Sequence, residues 1–129
     1  MKPVQYPLTV FYDASCPLCS SEMCALGSRD YQGRLELVDC SSADFDDMVL
    51  AGTPIKRSDL MTLMHARDAH GRWFVGVDAF AVIYRAVGLE GLAQAWPKLR
   101  CLYPWIARHR RLLSRLGLAR LVRAVISRA

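Results

Sequence analysis

The sequence predicts an α/β domain of order β-α-β-α-β-β-α that carries a helical, basic C-terminal extension. Three observations predict it. A β-branched and aromatic run, Leu8-Thr9-Val10-Phe11-Tyr12, leads straight into Cys16-Pro17-Leu18-Cys19 at the start of a helical pattern. Apolar segments of strand length then alternate with helical or polar segments as far as Gly88. Beyond Leu92 apolar residues recur at helical spacing and acidic residues stop.

At 129 residues the chain suits one folding unit with a modest core. Its 53% hydrophobic and 22% charged residues describe a globular chain, not a disordered one. The expected division is a domain over residues 1–95 and an extension over 96–129 packed on or beside it.

The elements follow in order. Leu8–Tyr12 reads as the first strand and Pro17–Arg29 as the first helix. Asp30 to Arg34 reads as a turn, and Leu35–Asp39 as a second strand parallel to the first, because a right-handed crossover helix joins them. Ser41 with Asp44, Asp46 and Asp47 reads as the start of a second helix that Gly52 ends and Pro54 follows. Residues 55–59 read as polar connection, Met61–Arg67 as the third strand, Ala69-His70-Gly71-Arg72 as a hairpin turn and Trp73-Phe74-Val75 as the fourth strand. Asp78 reads as the cap of a third helix, Ala79–Val87, stopped by Gly88.

This order, with a Cys-x-x-Cys after the first strand, is that of the thioredoxin fold. The topology indicates what lies near the cysteines. An antiparallel third strand brings its start, around Ser58–Thr62, to the cysteine edge of the sheet. The fourth strand brings its exit, Gly76-Val77-Asp78-Ala79, to the same edge. Thr62, Gly76 and Asp78 are therefore expected to contact substrate, together with Pro17 and Leu18 between the cysteines.

The chemistry follows from the placement of the cysteines. Pro17 fits the first helical position, where its missing N–H costs nothing. The sulfur of Cys16 then lies near free backbone N–H groups and the positive end of the helix dipole, which favour a thiolate. Cys19 lies one turn further in, within reach of a disulfide. In the expected redox pair Cys16 is the nucleophile and Cys19 the resolving thiol. The alternative, half of a zinc site, lacks a second Cys-x-x-Cys; Cys24, Cys40, His65 and His70 are scattered. His65 and His70 read as a strand and a turn residue, and Cys24, Cys40 and Cys101 as small apolar fillers. Asp13, three residues before Cys16, suits either a proton shuttle to the resolving thiol or a turn residue that binds backbone N–H groups.

Four segments resemble the DCC family of thiol-disulfide oxidoreductases, named for its Asp-x-x-Cys-x-x-Cys motif. Asp13, Cys16 and Cys19 match that motif. Asp68-Ala69-His70-Gly71-Arg72 resembles the family's hairpin, Gly76-Val77-Asp78-Ala79-Phe80 its Gly-x-Asp-Ala-Phe segment, and Tyr103 to Arg110 its Tyr-x-x-x-Ala-Arg-x-Arg segment. The resemblance covers about residues 7–115 and implies thiol-disulfide exchange. Two departures stand out. Ala14 replaces a frequent Gly, and no Pro precedes the third strand, where thioredoxins place a cis-Pro against the cysteines; Pro54 is too early.

Charge is unevenly placed. Residues 1–90 hold 8 basic and 12 acidic side chains, and residues 91–129 hold 9 basic and no acidic ones. After Gly117, Leu118, Leu121, Val122, Val125 and Ile126 can share one helical face, flanked by Arg120, Arg123 and Arg128. The expectation is that residues 91–115 dock on the domain and that 118–129 are accessible to an anionic membrane surface or acidic partner. No nucleic-acid-binding motif accompanies the charge, so no nucleic acid is expected. No segment is long and apolar enough to span a membrane, and Met1 to Pro7 lacks the pattern of a signal peptide, so a cytoplasmic location is expected. No nucleotide or metal cofactor is implied; the partner is a protein or small-molecule thiol or disulfide. The rival class is a non-catalytic module of the same fold that binds partners or senses redox state.

Overall fold

The computed structural model describes residues 3–128; Met1, Lys2 and Ala129, the outer ends of the expected domain and extension, lie outside them. Among the described residues a four-stranded sheet has the order β2-β1-β3-β4. Strand β1, Leu8–Tyr12, pairs in parallel with β2, Leu35–Asp39, with Leu8 opposite Leu35. On its other side β1 pairs antiparallel with β3, His65–Arg67, with Phe11 opposite His65. Strand β4, Trp73–Val75, pairs antiparallel with β3 and forms the edge. This is the thioredoxin-like arrangement.

The central strand explains the core. Side chains alternate across a strand, so Leu8 and Val10 face one way and Phe11 the other. Leu8 and Val10 join Met23 and Leu26 of helix α1, Pro17–Ser28, and Phe80 and Ile83 of helix α3, Val77–Ala86, in the larger core. Phe11 joins Cys40, Leu50 and Leu60 in a smaller core on the opposite face.

Three expectations are corrected. Residues 41–52 do not form a helix; only Asp47–Leu50 winds into a 3₁₀ turn. The Ser42 hydroxyl accepts from the Asp44 N–H and the Asp46 carboxylate from the Met48 N–H. Such short polar side chains satisfy the backbone locally and compete with a helix. The second helix is instead α2, Arg57–Thr62, across the supposed polar connection and the start of the supposed third strand. The Asp59 carboxylate accepts from the Lys56 N–H at 2.9 Å and fixes its first turn, and Leu60 anchors it in the smaller core. Periodicity alone does not separate a helix from a strand in an apolar run as short as Leu60–Met64. Asp78 is not a cap: α3 begins at Val77 and Gly76 is its N-cap. Gly76 sits at φ 66°, and a Cβ there would lie 3.3 Å from the Tyr103 ring.

The extension is part of the core. After α4, Glu90–Ala95, and a 3₁₀ turn at Trp96–Leu99 come α5, Tyr103–Arg108, α6, Arg110–Arg115, and α7, Leu118–Arg128. Pro97 and Pro104 sit in the first turns of their segments, as tolerated there. Trp96 stacks on Phe80 with ring centroids 4.2 Å apart, and Tyr103 meets the edge of the same ring. Helix α7 packs along α1, buries Ile126 to 1% exposure in the larger core, and receives an Arg29 guanidinium bond on the Ile126 carbonyl. The segment after Gly117 is therefore not the free end that its amphipathic pattern suggests, because its Val122 and Ile126 stripe has a docking face on the domain. Among the described residues no helix is long and apolar enough to cross a membrane.

Candidate active site

Two aspartates shape the loop between β1 and α1. Asp13 accepts from the Ser15 N–H at 3.0 Å and from the Ser15 hydroxyl. Asp39, at the end of β2, accepts from the Ala14 N–H at 3.1 Å and from both donors of Ser41. The Cys16 N–H turns back to the Asp13 carbonyl, and the Cys16 carbonyl accepts the first helical bond from the Ser20 N–H. Cys16 is thus the N-cap of α1, in extended backbone, and Pro17 follows at the first helical position.

Cys16 and Cys19 lie 3.4 Å apart, and both thiols are free. The Cys19 thiol donates to the Cys16 sulfur, and the backbone N–H groups of Cys19 and Leu18 and the Arg110 guanidinium add to it, so the Cys16 pKa falls to about 6 against the opposing effect of burial. The same bond, with burial, pushes the Cys19 thiol well above its ordinary value. Cys16 itself has no accessible surface. Cys19 is half-buried, and it lines an apolar cavity of about 210 Å³.

The extension completes the site. Arg110 of α6 donates to the Asp13 carboxylate at 3.0 Å and to the Met61 carbonyl, and reaches the Cys19 sulfur at 3.9 Å. Arg111 donates to the Ser15 hydroxyl at 3.2 Å and lies 3.5 Å from Asp13. Asp13 is 1% exposed, so these cations neutralise a buried charge. Where a proline would precede the third strand, the Met64 N–H donates to the Tyr103 hydroxyl at 3.0 Å.

The expected substrate contacts divide. Leu18 and Thr62 line the cavity beside Cys19. Thr62 lies at the end of α2 rather than on a strand, and its hydroxyl donates to the Ser58 carbonyl. Pro17, at the first position of α1, is exposed and does not line the cavity. Gly76 packs under Tyr103, and the Asp78 carboxylate is exposed and paired with Arg100 at 2.9 Å; neither lines the cavity.

Sequence reasoning missed Glu22, Tyr84, Arg110 and Arg111. Glu22 lines the cavity, is 6% exposed and accepts from the Tyr84 hydroxyl. A clue existed, since Glu22 lies three residues after Cys19 and is followed by apolar Met23, Ala25 and Leu26 on the buried side of α1. Arg110 falls in the Tyr-x-x-x-Ala-Arg-x-Arg segment, but its partners lie 97 and 91 residues away, so its role is invisible locally. The Asp68 motif has a structural role: its carboxylate accepts from the N–H groups of Gln5, His70 and Arg72 and ties the hairpin to the N-terminal segment. Cys40 is a buried filler whose thiol burial pushes up to about 12, whereas Cys24 and Cys101 are exposed and so do not fill the core. Among the described residues no three His, Cys, Asp or Glu side chains gather as a metal site would require.

Comparison with known proteins agrees with this geometry. An uncharacterized chloroplastic protein of Arabidopsis thaliana is 35% identical over 89 residues, which are 68% of this chain and 41% of that protein. The chain therefore matches less than half the length of that relative. No solved structure matches it. The profile of the DCC1-like thiol-disulfide oxidoreductases matches residues 10–116, the span from β1 through α6 that holds both cysteines, Asp13 and Arg110, and the chain belongs to that family.

Proposed function

We propose that the protein catalyses thiol-disulfide exchange with Cys16 as nucleophile and Cys19 as resolving thiol. The observation that carries this is Cys16 at the α1 N-cap, 3.4 Å from Cys19. The Cys16 thiolate attacks a substrate disulfide, forms a mixed disulfide and expels one substrate thiolate. Cys19 then attacks the Cys16 sulfur, closes the Cys16–Cys19 disulfide and releases the second thiolate. The substrate gains two electrons and the pair loses two, which another thiol restores. Arg110 favours both thiolates, and Asp13 holds Arg110 and the loop in place. Pro17, Leu18 and Thr62 border the cysteines and are the contacts for a protein or small-molecule disulfide. The cytoplasm, whose glutathione and thioredoxin pools keep thiols reduced, suits a cycle that starts from two thiols.

Iodoacetamide labelling across pH, read by mass spectrometry, tests the assignment. Cys16 is modified first, with a midpoint near 6; in the Cys19→Ser variant that midpoint rises if the serine hydroxyl donates less well to the thiolate. Labelling of Cys19 first refutes the assignment. The complete covering of Cys16 favours one alternative, a redox-sensing or partner-binding module. Repeated turnover of a disulfide substrate with dithiothreitol excludes it; a single oxidation without turnover supports it.

A further inference from the structure

The resolving step needs somewhere for the Cys19 proton to go, and few groups are within reach. The titratable and charged side chains lining the cavity with Cys19 are Tyr12, Asp13, Glu22, Tyr84, Tyr103 and Arg110. Asp13 is committed to Arg110, Arg111 and Ser15. Arg110 is a cation and accepts nothing. Burial raises the pKa of all three tyrosines above its ordinary value, so they stay protonated near neutrality. Glu22 remains. It lies one helical turn after Cys19, on the same side of α1, with its carboxyl in the same cavity and one oxygen held by the Tyr84 hydroxyl.

We propose that Glu22 accepts the proton of Cys19 during resolution, directly or through one water in the cavity, and returns it when the disulfide is reduced. This rests on the exchange reaction proposed above and deepens it. The balance closes within the protein. In the mixed disulfide Cys19 carries a proton and Glu22 is a carboxylate. Attack by Cys19 forms the Cys16–Cys19 bond, breaks the bond from Cys16 to the substrate sulfur, expels the substrate as thiolate, and leaves the proton on Glu22. On reduction by an external thiol, Cys19 leaves as thiolate and recovers that proton. Burial raises the Glu22 pKa to about 7, against the Tyr84 hydrogen bond and with the help of charge on Cys16. A group that must take a proton and give it back works best near the operating pH. The cavity is large enough for the water, which needs only ~15 Å³ of such space.

The experiment is stopped-flow reaction of the reduced full chain with DTNB, with the exposed Cys24 and Cys101 replaced by Ser in every protein compared, so that one coloured thiolate is released when Cys16 attacks and a second when Cys19 resolves. In the wild type the second phase rises with pH through about 7 and then levels, as Glu22 ionises. Glu22→Gln keeps the size and an acceptor for Tyr84. It slows the second phase at least tenfold at neutral pH, removes the levelling, and leaves a Cys16 adduct visible by mass spectrometry. Glu22→Asp recovers part of the rate. A second phase in Glu22→Gln within twofold of wild type, or an inflection near pH 7 that survives the substitution, overturns the proposal while leaving the exchange reaction standing. Absence of the first phase in the wild type removes the exchange reaction and this proposal with it. Should Glu22→Gln fail to fold, the wild-type profile decides: a second phase with no inflection between the ordinary carboxyl and thiol ranges refutes the role of Glu22.

Discussion

Replacing Arg110 by Gln tests whether the extension belongs to the site. The substitution removes the 3.0 Å ion pair with Asp13, whose side chain has no exposure, and the bond to the Met61 carbonyl. Removing one partner of a buried pair costs about 3–5 kcal/mol because the other charge stays buried. Two features reduce this. The Arg110 side chain is 19% exposed, and Arg111 stays 3.5 Å from Asp13. The expected loss is therefore nearer ~2–3 kcal/mol, a large fraction of a typical stability of roughly 5–15 kcal/mol. The pair is also electrostatically linked to the thiols, so Cys16 loses one of the influences that hold its pKa down, and its titration midpoint moves up from about 6. Urea unfolding measures the first effect and pH-dependent alkylation the second. In a double-mutant cycle with Asp13→Asn, the two losses sum to more than the loss in the double variant, because that variant leaves no buried charge behind. An unchanged urea midpoint, or reduced stability with an unmoved Cys16 titration, refutes the reasoning.

Three further outcomes are expected. Ile126→Ala opens a cavity beneath α7 and lowers stability by about 2–4 kcal/mol, and deletion after Gly117 is more damaging still, both read by thermal and urea unfolding. The Glu22 pKa is raised from 4.5 to about 7 on folding, so its protonated form stabilises the fold below pH 4.5 and that contribution is lost as pH rises towards 7. In Glu22→Gln, urea unfolding then shows little of this decline, which in the wild type amounts to about 3 kcal/mol by linkage. We also propose that the exposed Arg120, Leu121, Arg123 and Val125 of α7 are the part of the tail that meets an anionic surface; with on the order of 1 kcal/mol per basic residue near such a surface, Leu121→Asp with Val125→Asp abolishes sedimentation with phosphatidylserine vesicles, and wild-type protein that stays in solution excludes the membrane role.

How much was legible in the sequence depended on how local its cause was. Strand β1, the N-cap position of Cys16 and Pro17 at the start of α1 follow from neighbours within a few residues, and each stands where expected. The stretch from 41 to 62 misled because its acids and serines resemble helix caps while bonding their own loop, and because Leu60–Met64 fits either period. Thr62 lines the cavity beside Cys19 whereas Asp78 does not; α3 starts two residues earlier than its cap-like aspartate suggests, and the Asp78 carboxylate pairs with Arg100. The amphipathic pattern of 118–128 specifies a helix with an apolar face, but a sequence does not say which surface that face meets.

The two carboxyls near the cysteines show why the site needs its tertiary setting. Asp13 and Glu22 are both nearly inaccessible, and the sequence offers Asp13, three residues before Cys16, as either a proton shuttle or a turn residue. Their partners differ. Asp13 faces two guanidinium groups, at 3.0 Å and 3.5 Å, and accepts from a serine hydroxyl. Glu22 has a neutral tyrosine hydroxyl in an apolar cavity, where burial opposes its charge. Carboxyls in such unlike settings divide the work: Asp13 anchors Arg110 beside the thiols, and Glu22 is the group proposed to exchange a proton. Tyr84 of α3 and the guanidinium groups of α6 supply most of these partners, so the setting of a motif at the N-terminal end of the chain depends on residues more than 60 positions downstream.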